Sequence, residues 1–390
     1  MRAASRSIAS LLSVAMLVKG YYPWAWRVAG TFLSNTVGWE NAEISQSIVR
    51  VDLDRHAVAR PDSLTRYALV LQVWVVLLSV MSTLMNVPWS LYGTFVVEAR
   101  HGFNNTTMST FVGDLIKSTL LTMVLSPPII AGLVKIMLLV PGPAMAVWIW
   151  GFMLAVSLIM LTIYPVIIAP LFNKYQPLED GKLKKKIESL AGRLKFPLKK
   201  LFVVDGSRRS AHSNAYMYGF FKNKRIVLYD TLLEQSTDEQ VTAVLAHELG
   251  HWALSHTKYL FVASQVVLAA QMSMFAMTRG APGVLEAFGF QGAGNKPALA
   301  SLVIFQLLIG PLDELLGLAQ NFVSRTFEYQ ADRFAVDLGY AEDLKGALCV
   351  LDKKNKGPPN NDRWYSAYHH SHPVLVERLV AIDDAAKKKE

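Results

Sequence analysis

The chain has 390 residues, of which 52% are hydrophobic, with a formal charge of +9 and a mean hydropathy of +0.28. So apolar a composition excludes an ordinary soluble enzyme and makes a lipid bilayer the expected partner. The basic excess lies in loops between apolar runs, which fits membrane topology and argues against a nucleic-acid partner, while the single cysteine, Cys349, excludes an internal disulfide and a cysteine-rich metal site.

Six apolar runs, near residues 8–19, 68–97, 118–140, 144–170, 259–277 and 298–320, are candidates to cross a bilayer needing about 20 residues. The first is short, and the aromatic stretch from Tyr21 to Trp26 extends it or marks its interface. After the second run, Asn104-Asn105-Thr106-Thr107 contains two overlapping glycosylation sequons. Residues 171–258 carry fifteen Lys/Arg, whereas 141–143 has none and 278–297 has only Arg279 and Lys296. The positive-inside rule therefore puts 171–258 and 321–390 on the cytosolic side. The sequence divides into helices one to four over 1–170, a cytosolic region over 171–258, a transmembrane hairpin over 259–320 and a cytosolic C-terminal region over 321–390. The sequon loop also falls on the cytosolic side, so no glycan is expected there.

Within the first cytosolic region, Leu201 to Asp205 reads as a strand. Asn214 to Phe221 and Ile226 to Asp230 then flank a hairpin turn at Lys222-Asn223-Lys224-Arg225. An edge strand here can take an extended peptide by strand addition, with Asn214 and Tyr218 along it; a purely structural hairpin reads almost as well. A helix follows, opened by a capping box from Ser236 and Glu239 or from Thr237 and Gln240, with Val241, Val244, Leu245 and Leu249 at helical spacing. It carries His247-Glu248-Leu249-Gly250-His251. Histidines four apart share a helical face and can bind one zinc ion, and Glu248 beside them is placed as general base to a zinc-activated water. Gly250 is expected to keep the backbone open near the metal.

Beyond the last apolar run, Asn321, Arg325, Glu328 and Asp332 fall on one face of a continuing helix. Glu328 is placed as third ligand, Asp332 to accept from a ligand imidazole and hold its tautomer, and Arg325 to neutralise the cluster. Downstream, His372 and Arg378 are candidate donors to an oxyanion. The tail Lys387-Lys388-Lys389-Glu390 resembles a dilysine retrieval signal.

At this point the chain resembles the type I CaaX prenyl proteases. The resemblance rests on Pro88-Trp89-Ser90-Leu91-Tyr92, His101 to Asn104, Ser213 to Leu228, His247 to Trp252, Ser324-Arg325 with Phe327-Glu328 and Gln330-Ala331-Asp332, and Ser371-His372-Pro373 with Glu377-Arg378-Leu379. It implies an α-helical polytopic membrane protein enclosing a chamber, with a zincin-like α+β catalytic region, in the endoplasmic reticulum membrane with its zinc site accessible from the cytosol. Six spans stand here against the family's seven. The implied activity is removal of the C-terminal tripeptide from prenylated CaaX proteins, with a second upstream cut in some members. Carried over residue by residue, His247, His251 and Glu328 match the ligands of one Zn2+ per chain and Glu248 the base. Asp332 matches a supporting or proton-donating residue, His372 and Arg378 transition-state stabilisers, and Asn214 a substrate-strand contact. The alternatives are a membrane quality-control metalloprotease, or a transporter or channel with a non-catalytic metal site, to which intramembrane Asp313 and Glu314 are suited.

Overall fold

The computed structural model describes residues 61–219, 223–280, 283–284, 298–357 and 361–388. The apolar run at 8–19, the aromatic stretch 21–26, most of the 278–297 turn and the tail end 389–390 lie outside the described residues. The first described helices are α1 (Pro61–Tyr92), α2 (Met108–Leu139), α3 (Ala144–Ile163) and α4 (Ala169–Phe172). Next come β1 (Tyr175–Pro177), α5 (Lys182–Arg193), β2 (Leu198–Val204), β3 (Ala215–Tyr218) and β4 (Lys224–Tyr229). Then follow α6 (Asp230–Gln235), α7 (Asp238–Ala253), α8 (His256–Gly280), α9 (Ala298–Asp337), α10 (Ala341–Asn355), α11 (Arg363–His369) and α12 (Leu375–Lys387).

Apolar segments can satisfy their backbone within lipid only as helices or closed barrels. Among the described residues, Met108–Leu139, Ala144–Phe172 and His256–Arg279 are helices long and apolar enough to cross a membrane. The run expected at 68–97 is helix from Pro61 and ends in a π-helical turn, Gly93–Glu98. The run expected at 298–320 and the continuing helix beyond it form one helix, α9, 40 residues long and ending at Asp337.

The described residues fall into two compact units. The first comprises Met1–Gly93, Phe111–Ile159 and Gln265–Gly310, and its described part is helical. There α2 and α3 approach closely at Gly132, where a Cβ would stand 2.5 Å from Phe152 Cζ. Phe275 packs on Phe305, and Arg279 Nη1 donates to the Met137 carbonyl at 2.8 Å. Val124, Val147, Trp148 and Met277 are 63–77% exposed, an arrangement suited to lipid. Along α2, Thr119, Thr122 and Ser126 hydroxyls donate to carbonyls four residues back, which quenches polar groups inside an apolar helix.

The second unit comprises Thr94–Thr110, Met160–Ser264 and Pro311–Glu390. Its sheet has the order β1-β2-β4-β3, with β2 and β4 parallel and the other neighbours antiparallel. β1 was not visible as a strand in the sequence; it pairs Tyr175 to Pro177 with Val204 to Phe202. Of the expected hairpin turn, Lys222 lies outside the described residues, while Lys224 and Arg225 belong to β4 and Arg225 pairs with Tyr218 of β3. Gly219 (φ +111) is needed there: a Cβ would stand 2.0 Å from the Asn223 carbonyl oxygen. Helix α5 buries Ile187, Leu190 and Ala191 and leaves Lys182 and Lys185 exposed. Those apolar residues join Leu201, Ile226, Leu228, Leu232, Val241, Leu245 and Leu249 in one core, so α7 is anchored against the sheet. The sequon loop also belongs to this unit. Asn105 N donates to the Arg209 carbonyl at 3.0 Å, Ala211 N to the Phe103 carbonyl at 3.1 Å, and Asn105 Nδ2 to the Ser207 carbonyl at 2.9 Å.

Candidate metal centre

Helix α7 starts where its sequence signals direct. Of the two possible caps, Thr237 forms the box: its hydroxyl accepts from Gln240 N at 3.3 Å, and Gln240 Oε1 accepts from Thr237 N at 3.0 Å. The apolar face Val241, Leu245 and Leu249 is turned into the core, which aims His247 and His251 away from it towards α9. Gly250 has a different part from the one expected. A Cβ there would stand 3.1 Å from Phe334 Cδ1 and 3.2 Å from Ala331 Cα, so the glycine lets α9 lie close against α7. That approach carries Glu328, three residues before Ala331, to the two histidines.

The resulting cluster is tight. His247 Nε2 and His251 Nε2 are 3.2 Å apart, and each lies 3.4 Å from an oxygen of Glu328. Donor atoms on a tetrahedral zinc ion, at bond lengths of about 2.0–2.2 Å, stand about 3.3–3.6 Å apart. Among the described residues, the buried Glu328 Oε2 accepts no hydrogen bond, although His247, His372 and Arg378 nitrogens stand 3.0–3.6 Å from it. Two imidazoles, a carboxylate and a buried oxygen lacking a donor fit a divalent cation.

Burial and neighbouring charges shift the titration of the cluster in opposite directions. Burial alone would raise the Glu328 carboxyl, but His247, His251 and His372 override it and hold it well below the usual carboxylate range. Burial opposes charge on His247, yet Asp332 and Glu328 outweigh it and carry its pKa up to about 9. Glu248 is half-buried, and burial pushes its carboxyl up, with Glu328 adding to the effect and His247, His251 and Arg378 opposing it.

Asp332 Oδ1 lies 2.8 Å from His247 Nδ1 and receives Arg378 Nη2 at 2.6 Å; its Oδ2 receives Arg378 Nε at 2.9 Å. Two of Arg378's nitrogens are thus engaged by Asp332, and Nη1 faces Glu328. His372 Nδ1 is 3.0 Å from Glu328 Oε2 with its side chain 65% exposed, while the His369 ring lies tilted against Tyr365 and edge-on to Tyr368. Arg325 does not neutralise the ligand cluster. It turns to the C-terminal segment, pairing with Glu377 Oε2 at 2.5 Å and donating to Ser366 Oγ and the His372 carbonyl. Asn321 Nδ2 likewise donates to the Tyr368 carbonyl at 2.7 Å. Glu314, read from the sequence with Asp313 as an intramembrane acid, accepts from Tyr368 Oη at 3.0 Å.

Asn214 and Tyr218 are engaged in the hairpin. The Asn214 carbonyl accepts from Tyr229 N, its side chain from Ala215 N, and the Tyr218 ring sits 5.5 Å from the Arg225 guanidinium. Tyr218 ends β3, an edge strand packed alongside α7, and Asn214 immediately precedes that strand. Sequence reasoning missed His256, which is 2% exposed and contacts His251; the residue lies past the recognised motif, at the start of an apolar run.

A family model described as Peptidase family M48 matches residues 177–386, and one described as CAAX prenyl protease N-terminal, five membrane helices, matches residues 56–174. The CAAX prenyl protease 1 homolog of Oryza sativa subsp. japonica is 47% identical over 98% of this chain and 84% of its own. CAAX prenyl protease 1 of Saccharomyces cerevisiae is 42% identical over 80% of this chain and 72% of its own. The crystal structure of S. mikatae Ste24p aligns with a TM-score of 0.76 at 35% identity, covering 96% of this chain and 97% of that one. Matched thus along its helical and its catalytic parts, the chain belongs to the CAAX prenyl protease family within Peptidase family M48 and is a multi-pass membrane metallopeptidase.

Proposed function

We propose that the chain is a zinc endopeptidase that removes the C-terminal tripeptide from proteins with a prenylated CaaX cysteine, holding one zinc ion on His247, His251 and Glu328. The observation that carries this reading is the approach of those three side chains, with ligand atoms within 4.8 Å of one another, in a chain whose relatives bear the name CAAX prenyl protease. Family membership sets the transporter and channel readings aside. Bound there, zinc supplies Lewis-acid polarisation of a peptide carbonyl and brings the pKa of a water towards neutrality. Glu248, its carboxyl raised by burial, takes the water's proton on a carboxylate oxygen and passes it to the leaving amine. Asp332 keeps His247 protonated at Nδ1 and bare at Nε2. His372 and Arg378, whose Nη1 is turned towards Glu328, donate to the charge that develops on the carbonyl oxygen. The substrate enters extended and adds to β3, with Asn214 and Tyr218 along its path.

The test is a farnesylated CaaX peptide offered beside its unprenylated twin, with tripeptide release followed by mass spectrometry. Cleavage of the prenylated peptide alone, abolished by a chelator, is expected. Equal cleavage of both would favour a quality-control protease.

The enzyme acts in the endoplasmic reticulum membrane with this centre on the cytosolic side. In support, fifteen Lys/Arg lie in 171–258, and the sequon loop is hydrogen-bonded to residues 207–211 of the same unit. Asn104 and Asn105 therefore carry no glycan, and an endoglycosidase-sensitive mass shift would overturn the orientation.

A further inference from the structure

We infer that His256 fixes the tautomer of His251 through a relay running from His251 Nδ1–H to His256 Nδ1 and from His256 Nε2–H to Gln330 Oε1. The inference rests on the reading of His251 as a zinc ligand. The two Nδ1 atoms are 2.9 Å apart, and a hydrogen bond between them needs a proton on one and a bare nitrogen on the other. His251 Nε2 faces Glu328 Oε1 and His247 Nε2, so it must be bare to take a cation, which leaves its proton on Nδ1. His256 Nδ1 is then the acceptor. A neutral His256 carries its remaining proton on Nε2, and an acceptor is waiting there, Gln330 Oε1 at 2.9 Å.

The ring is held in place for this. It is 2% exposed and stacks on Phe327 with centroids 4.1 Å apart and planes 2° from parallel. Phe327 and Gln330 flank Glu328 on α9, so the helix that brings the third ligand also brings both supports of His256. An unbroken helix could not form this contact, because residues five apart point about 140° away from each other. The chain instead leaves α7 at Leu254, passes through Ser255 in the left-handed region (φ 59) and restarts as α8 at His256. The two ligand histidines are therefore supported unequally. His247 leans on a carboxylate clamped by Arg378, and His251 on a neutral imidazole that ends on an amide.

His256→Phe keeps a ring to stack on Phe327 and removes both nitrogens. In the purified full-length protein, chelator competition should show zinc bound ten- to a hundredfold more weakly, as loss of an outer hydrogen-bond partner does elsewhere. His256→Asn restores an acceptor near His251 Nδ1 and should recover most of that loss; Gln330→Leu should weaken zinc by a few fold. The cobalt-substituted protein should show a shifted ligand-field spectrum in His256→Phe and a near wild-type spectrum in His256→Asn. Equal zinc affinity in His256→Phe and wild type would overturn the relay. Equal weakening in the Phe and Asn variants would overturn it too, since ring packing would then be the only role. Wild-type protein that binds no stoichiometric zinc would sink the zinc assignment itself, a result distinct from either.

Discussion

The two halves of the metal centre are built in opposite ways. On the HExxH side, His247, Glu248 and His251 come from one capped helix, and their mutual placement follows from the helical repeat. On the other side, Glu328, Asp332, His372 and Arg378 come from α9, from the segment before α12 and from α12 itself, spread over fifty residues, and they converge only through packing. The local half needs a start signal and a core face. The assembled half needs the close approach at Gly250, the Arg378–Asp332 fork and the Arg325 anchor on Glu377. Chemistry can be read from the first half, whereas the second half sets whether a cation stays.

Substitutions can separate these contributions. The largest effect should come from Glu248→Gln, which keeps the ligands and removes the base: kcat should fall by on the order of 10²- to 10⁴-fold with zinc content unchanged. Near-normal turnover would remove Glu248 from the mechanism. Glu328→Ala strikes the assembled half, and elemental analysis should show zinc falling well below one per chain. Full occupancy in that variant would mean that the third ligand lies elsewhere.

Arg325→Met loosens the segment that carries His372 without touching a ligand. Turnover should drop about tenfold while zinc content holds, as a misplaced donor at a developing oxyanion would cause. Parallel loss of zinc would show that the anchor supports the ligands instead. The smallest effect should follow Gly250→Ala. Its Cβ would press on Phe334 and Ala331 and destabilise the catalytic unit by about 1–3 kcal/mol, visible as a lower melting temperature. An unchanged melting temperature would return Gly250 to the role of exposing backbone.

The contrast also explains what could be read in advance. Long apolar runs dictate helices because lipid leaves the backbone no other partner, so α2, α3 and α8 were legible from composition. β1 was not: a three-residue strand has too little pattern to declare itself and exists only because Phe202 to Val204 lie beside it. Thr237 against Ser236 as cap was undecided by spacing, and backbone geometry chose.

By itself the sequence determined the HExxH helix, its capping region, the candidate third ligand and the carboxylate one turn beyond it, since a helix converts spacing into shared faces. It could not determine where long side chains end. Arg325 sits on the same face as Glu328 and Asp332 by periodicity, yet it turns to Glu377, because the C-terminal segment offers a carboxylate, a hydroxyl and a carbonyl together. Gly250 and His256 carry the same lesson. What a glycine admits, and which imidazole meets which, depends on the neighbouring helix and on a turn at Ser255, and only the tertiary structure decides those.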